Sequence, residues 1–322
     1  MGYNNLSELF AATADAIRAK TGGTDPIVAN DFPSAIEGIS GGGGGDNFPI
    51  GDGNTHILVS LHEGRTSPMM GLGVNGTVTV DWGDGTTPDA LTGTSVSTAV
   101  WTPAHNYAKA GDYVITLTVD GEMGLLGDNN TSYIFSAGPS VPYMYVYTNS
   151  VLKIELGQNV TSMGLGSLRS MRSLRQVRLS VAPTNYNAKY FFYNCSSLQS
   201  VTIPEGFAFV PSGMFYYCDS LKSVDIPDTV TYLSSSAFGY CMALTRIKLP
   251  GGLTEIKDGV FQGCYSLAFL DFSQHTAVPN LVSTNAFQGI PADCEFRVPA
   301  SLVDEWKAAT NWATYADYIV GV

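Results

Sequence analysis

The chain has 322 residues, with 28 acidic against 16 basic side chains, a net charge of −12 and a pI near 4.6. An acidic chain with no Lys/Arg cluster reads as neither a nucleic-acid binder nor a ligand for anionic membranes. It has no run of 18 apolar residues, so no membrane insertion is expected, and its 35 glycines suit a β-rich protein with many turns.

Residues 1–40 read as a small helical module. Leu6, Leu9, Phe10 and Ile17 mark the apolar side of an amphipathic helix from Leu6 to Lys20, which Thr21-Gly22-Gly23 ends. Asn30 or Asp31 caps a second short helix carrying Phe32, Ile36 and Ile39. So few apolar groups cannot form a core alone. The module is therefore expected to attach the chain to another protein or to copies of itself. Residues 41–47 form a Gly-rich linker. No basic region leading into an apolar stretch opens the chain, so no secretory signal is expected.

Residues 48–148 read as a β-sandwich. Thr77–Thr86 alternates apolar and polar residues into a Gly-rich turn, and Tyr113, Ile115, Leu117 and Val119 repeat the alternation. Residues 123–148 fit either the end of the sandwich or the start of the solenoid. The turn Trp82-Gly83-Asp84-Gly85, the run His105-Asn106-Tyr107 and the strand Gly111 to Val119 resemble the polycystic kidney disease (PKD) type of immunoglobulin-like domain. Asp81, Asp84 and Asp89 cluster at this turn. They offer Ca²⁺ its preferred oxygen ligands, but a tight turn with Asp side chains bonded to local backbone is the preferred reading. His105 reads as a structural hydrogen-bonding residue. The remaining histidines, His56, His62 and His275, have no metal-site spacing. No catalytic, cofactor or metal site is expected.

Residues 149–298 carry a repeat of 23 residues. It begins at Phe192, Phe215, Phe238 and Phe261, and each copy places Cys three residues on, Leu three further and then two aliphatic positions. Weaker rungs start at Val151 and Leu174, and a degraded copy begins at Phe287. This period and Leu spacing signal a leucine-rich-repeat solenoid. Cys195, Cys218, Cys241 and Cys264 form a column of small buried thiols rather than a zinc site, whose ligands must converge on one point. The residue between the two final apolar positions points to solvent in each rung: Glu155, Arg178, Thr202, Asp225, Lys248, Asp271. Their alternating charges suit register more than chemistry. Tyr190, Tyr193, Tyr216, Tyr217, Tyr240 and Tyr265 crowd the turns, and exposed tyrosine is the material of adaptable binding surfaces. In residues 299–322, Leu302, Trp306 and Ala309 share one face of a helical cap.

The repeat resembles the BspA-like class of leucine-rich repeats, and the ending matches that class's cap. The segment from Leu6 to Ile39 resembles a module found at the start of phage and prophage tail-associated proteins. Together these imply a mainly β protein: helical module, PKD-like sandwich, solenoid, cap. They further imply a non-enzymatic virion adhesin, of tail-fibre or receptor-binding type. Residues 1–40 would bind other virion proteins and form a homo-oligomer, by resemblance a trimer. The solenoid, expected to work on its own from residue 149, would bind a host-surface glycan or protein through Tyr193, Tyr216, Tyr217, Tyr240, Tyr265, Arg178, Asp225, Lys248 and Asp271. The alternatives are a capsid decoration or head-fibre protein and a bacterial cell-surface adhesin.

Overall fold

Every third or fourth residue of the repeat is apolar, so each rung can bury one edge only against its neighbours, and stacking is obligatory. The computed structural model describes residues 48–62, 67–127, 134–135, 148–180, 182 and 189–322. The helical module (1–40) and the linker (41–47) lie outside them.

In chain order the strands are β1 (Thr55–Leu61), β2 (Gly71–Asp81), β3 (Asp89–Trp101), β4 (Gly111–Leu125), β5 (Val151–Leu156), β6 (Val160–Met163), β7 (Gln176–Leu179), β8 (Ser200–Thr202), β9 (Phe209–Val210), β10 (Tyr232–Leu233), β11 (Arg246–Lys248), β12 (Glu255–Ile256), β13 (Phe269–Asp271), β14 (Asn280–Leu281), β15 (Glu295–Val298) and β16 (Ile319–Gly321). A sandwich would divide β1 to β4 into two stacked sheets. Among the described residues they lie in one sheet instead, in the order β3-β2-β4-β1-β5-β7-β8. The reason is β1. One edge pairs antiparallel with β4, and the other pairs antiparallel with β5, the first strand of the repeat. From β5 the sheet runs parallel through β7 to β8. The sheet thus crosses the boundary expected near residue 148, and residues 50–322 form one compact unit with one continuous apolar core.

The repeat register is as the spacing predicts. Ile154 pairs with Val177 and Val177 with Val201, while Arg246, Ile247 and Lys248 pair with Phe269, Leu270 and Asp271. A second parallel sheet, β9-β10-β12-β14, runs along another side of the rungs. Between the sheets stands a ladder of stacked rings: Phe192, Phe215, Phe238, Phe261 and also Phe287, with neighbouring centroids 5.2–5.7 Å apart. Phe287 keeps its place although its rung has lost the Cys and Leu of the signature, and Phe296 and Val298 keep the two final apolar positions.

The thiol column lies beside this ladder. The Sγ–H groups of Cys218, Cys241 and Cys264 donate to the carbonyls of Phe192, Phe215 and Phe238 in the rung before, each at 3.2 Å. Burial pushes Cys195, Cys264 and Cys294 up to about 12, so these thiols stay protonated and unreactive. The cap is less helical than its pattern suggests. A short helix α1 (Val303–Ala308) buries Trp306, a 3₁₀ segment over Trp312–Tyr318 buries Trp312, and β16 then adds to the sheet beside β15.

Candidate functional site

The turn of each rung must return the chain and hand its backbone donors to the next rung. The residue after the turn's second position does both by adopting the left-handed region. Its N–H then points along the stack: Asn194 donates to Tyr216 O, Tyr217 to Gly239 O and Tyr240 to Gln262 O, at 2.7–3.0 Å. Six rungs repeat this geometry, at Ser170, Asn194, Tyr217, Tyr240, Gly263 and Gly289, with φ between 56° and 82°. Of the six, Ser170 is small and three are Asn or Gly, which tolerate it. Tyr217 and Tyr240 do not, and a bulky residue there costs on the order of 1–2 kcal/mol.

The strained rings join a continuous strip. Tyr193 stacks on Tyr216 (5.8 Å between centroids), Tyr216 meets Tyr217 and Tyr240 edge-on (4.6 and 5.4 Å), and Tyr217 lies 5.0 Å from Tyr240. Tyr190 closes the near end, 5.6 Å from Tyr193. Glycines of the following rung form the floor. A Cβ at Gly213 would fall 2.4 Å from the Tyr190 ring, one at Gly239 2.7 Å from Tyr216 and one at Gly263 2.6 Å from Tyr240. One side of the Tyr190, Tyr216 and Tyr240 rings thus lies against a glycine, and the Tyr216 phenol hydrogen-bonds with that of Tyr217. All five rings are half-buried. Burial, helped by the neighbouring Tyr217, Tyr240 and Tyr193 phenols, pushes Tyr216 up to about 12, so it stays a neutral donor. Tyr265, at 55% exposed, stands apart on another column with Met242.

The strip opens at one end into a cleft of about 410 Å³, lined by Arg169, Tyr190, Tyr193, Tyr216 and Ser236. The Arg169 guanidinium lies 4.6 Å above the Tyr193 ring centre. Arg169 and Tyr190 were not among the expected site residues. The signal for the first was present. Arg169, Arg172, Arg175 and Arg178 recur at every third residue, and no carboxylate occurs between Glu155 and Glu205. The chain therefore does contain a basic block, which its net charge conceals.

The charged column is assembled in the expected register: Glu155 pairs with Arg178, Thr202 with Asp225, Lys248 with Asp271 and Asp271 with Arg297. Arg178, Asp225 and Lys248 are exposed and Asp271 half-buried. Glu155 was expected in solvent and is instead 2% exposed, because the sheet continues past it through His56 of β1. It accepts from Ser180 Oγ at 3.2 Å and faces Arg178 Nε at 3.7 Å. At Asp225 the strand pairing narrows to a single bridge, and a cleft of about 390 Å³ opens beside Glu205, Asp225, Asp228 and Lys248.

The three carboxylates weighed for Ca²⁺ serve separate partners. Asp81 accepts from Gly83 N–H, Asp89 from the indole N–H of the buried Trp82, and Asp84 from Thr86 and from His105, whose ring stacks on Trp82 at 4.5 Å. Burial raises the Asp84 carboxyl, but the bonds from Thr86 and His105 outweigh it and hold the group below the usual carboxylate range. Among the described residues no group of three or more His, Cys, Asp or Glu side chains converges on a point that could hold a metal ion.

The BspA type leucine-rich repeat region matches residues 141–268 and 188–292, in six copies. These rungs are BspA-type leucine-rich repeats. Similar solved structures include a leucine-rich repeat protein from Bacteroides ovatus, 26% identical, with a TM-score of 0.44 over 53% of this chain and 42% of that one. A leucine rich cell surface protein from Faecalibacterium prausnitzii is 25% identical, with a TM-score of 0.35 over 49% of this chain and 57% of that one. The chain thus spans less than half of the Bacteroides ovatus protein. No curated protein sequence matches it. In the BspA-type part of this chain, the recurring Phe, Cys and Leu positions are all interior, and the tyrosine strip is the surface built on them.

Proposed function

We propose that this protein is a non-enzymatic, adhesin-like binding protein whose BspA-type solenoid makes the recognition contact through the tyrosine strip. One observation carries the reading. Tyr217 and Tyr240 occupy left-handed positions that their neighbours fill with Asn and Gly, so the rings are retained against a backbone cost. Half-buried tyrosines with glycine beneath them are pre-organised, and rigid aromatic side chains lose little entropy on binding. On the exposed part of the charged column Lys248 neighbours Asp271 in the next rung, a surface charge interaction worth under about 1 kcal/mol, which suits register.

The BspA-type repeats favour mounting on a bacterial surface. A virion role, with residues 1–40 as the attachment and trimerisation module, rests on the resemblance of those residues. Their role is a separate proposal from that of the strip.

The full-length chain, fluorescently labelled, is expected to sediment with target cells, and Tyr216→Ser to reduce that binding by about tenfold or more, the scale of an interface hot spot. Lys248→Ala and Asp225→Ala are expected to leave it unchanged. Loss at Lys248 and Asp225 with none at Tyr216 would move the recognition surface to the charged column.

A further inference from the structure

We infer that the cleft at the Arg169 end of the strip takes the acidic groups of an anionic, hydroxyl-rich surface polymer. The inference rests on the strip being the recognition surface. Arg169, Tyr190, Tyr193, Tyr216 and Ser236 line the cleft among the described residues. Each can donate a hydrogen bond and none is a carboxylate. A guanidinium beside hydroxyl donors is the arrangement that binds carboxylate or phosphate.

The surroundings extend the same field. Arg172, Arg175, Arg178 and Lys189 are exposed. No acidic residue occurs between Glu155 and Glu205, on a chain whose net charge is −12. In the repeat register, Asp219 stands two rungs beyond Arg172 in the same column. The positive band is longer than the cleft, which suits a polymer with repeated charges over a single anion. At about 410 Å³ the cleft itself falls within the range of small-ligand sites.

Two further features select among polymers. Neutral sugars bind aromatic rings by stacking on a free face, and here Gly213 lies against one side of Tyr190, Gly239 and the Tyr193 ring lie against Tyr216, and Arg169 lies over Tyr193. Phenol and serine hydroxyls both donate and accept, matching a chain dense in hydroxyl groups better than an acidic polypeptide. Uronate carboxylates and polyol phosphates share the required chemistry.

The full chain would be titrated with sodium polygalacturonate, poly(glycerol phosphate), neutral dextran and polyglutamate at low and physiological salt. At least one of the first two is expected to bind, and which one identifies the acid. Dextran should not bind, and polyglutamate should bind at least tenfold more weakly. Binding should weaken as salt rises, because exposed charges are screened. Arg169→Gln should weaken binding by roughly tenfold to a hundredfold, the worth of a charged hydrogen bond. Arg172→Gln, outside the cleft, should do so by less. Should Arg169→Gln fail to fold, the four polymers on the unaltered chain still decide. Dextran or polyglutamate binding as tightly as the polyanions overturns the inference, as does a folded Arg169→Gln with undiminished affinity. If Tyr216→Ser abolishes cell binding while neither polyanion binds, the recognition surface stands and this ligand class fails. If Tyr216→Ser leaves cell binding intact, the recognition surface itself fails.

Discussion

A fragment beginning at residue 149 is expected not to fold as the solenoid it contains. Sequence spacing places a boundary there, and a solenoid that binds on its own would be its consequence. The β1–β5 pairing removes that option. Ile57 and Val59 on β1 are fully buried beside Ile154 and Val151 of the first rung. Cutting at 149 uncovers the apolar end of the stack and leaves β5 with an open edge. Solenoids need a terminal cap for this reason. Re-exposing Val151, Ile154 and Leu156 alone costs about 6 kcal/mol at about 2 kcal/mol for each side chain, a large part of a domain's whole stability. The expected outcome is aggregation or a broad, non-cooperative urea transition, against one sharp transition for residues 48–322. A fragment 149–322 that melts cooperatively would show that β1 to β4 are a separable domain.

The second large effect is at the centre of the ring ladder. Phe238 is fully buried, with the Phe215 ring 5.2 Å on one side and the Phe261 ring 5.4 Å on the other. Phe238→Ala is expected to cost about 3–5 kcal/mol, because the rungs above and below hold the cavity open. Lys248→Ala, on the exposed column of the neighbouring strand, should cost under about 1 kcal/mol. Urea unfolding of both variants checks the pair, and equal losses would place the wrong face of the rung inside.

The legible part of this chain is its repeat. A 23-residue period names the rung, and the alternation within Arg246–Lys248 or Gln176–Leu179 says which side chains face in. The junction was not legible. The pattern of Thr55–Leu61 does not say whether the second neighbour of this strand is a sandwich strand or a rung. The burial of Glu155 depends on that junction and was hidden with it. The capping strand Ile319–Gly321 is too short to carry a periodicity. The strip was half legible. Tyrosines stood out by composition, yet their left-handed backbone runs against residue preference, which assigns such positions to Gly or Asn. Arg169 was hidden because a charge total averages a basic block into an acidic chain.

The claim that the tyrosine strip exists for recognition is tested most directly by Tyr217→Asn/Tyr240→Asn in the full-length chain, with unfolding and cell binding measured on the same sample. Asn is what the rung at Asn194 uses at this position. Relief of the left-handed strain, about 1–2 kcal/mol at each site, offsets the removal of ring–ring packing, about 0.5–1.5 kcal/mol for each pair. The expected result is a melting temperature within a few degrees of the parent and cell binding reduced tenfold or more. A strongly destabilised variant that binds as well as the parent would make the strip a packing feature and contradict the assignment.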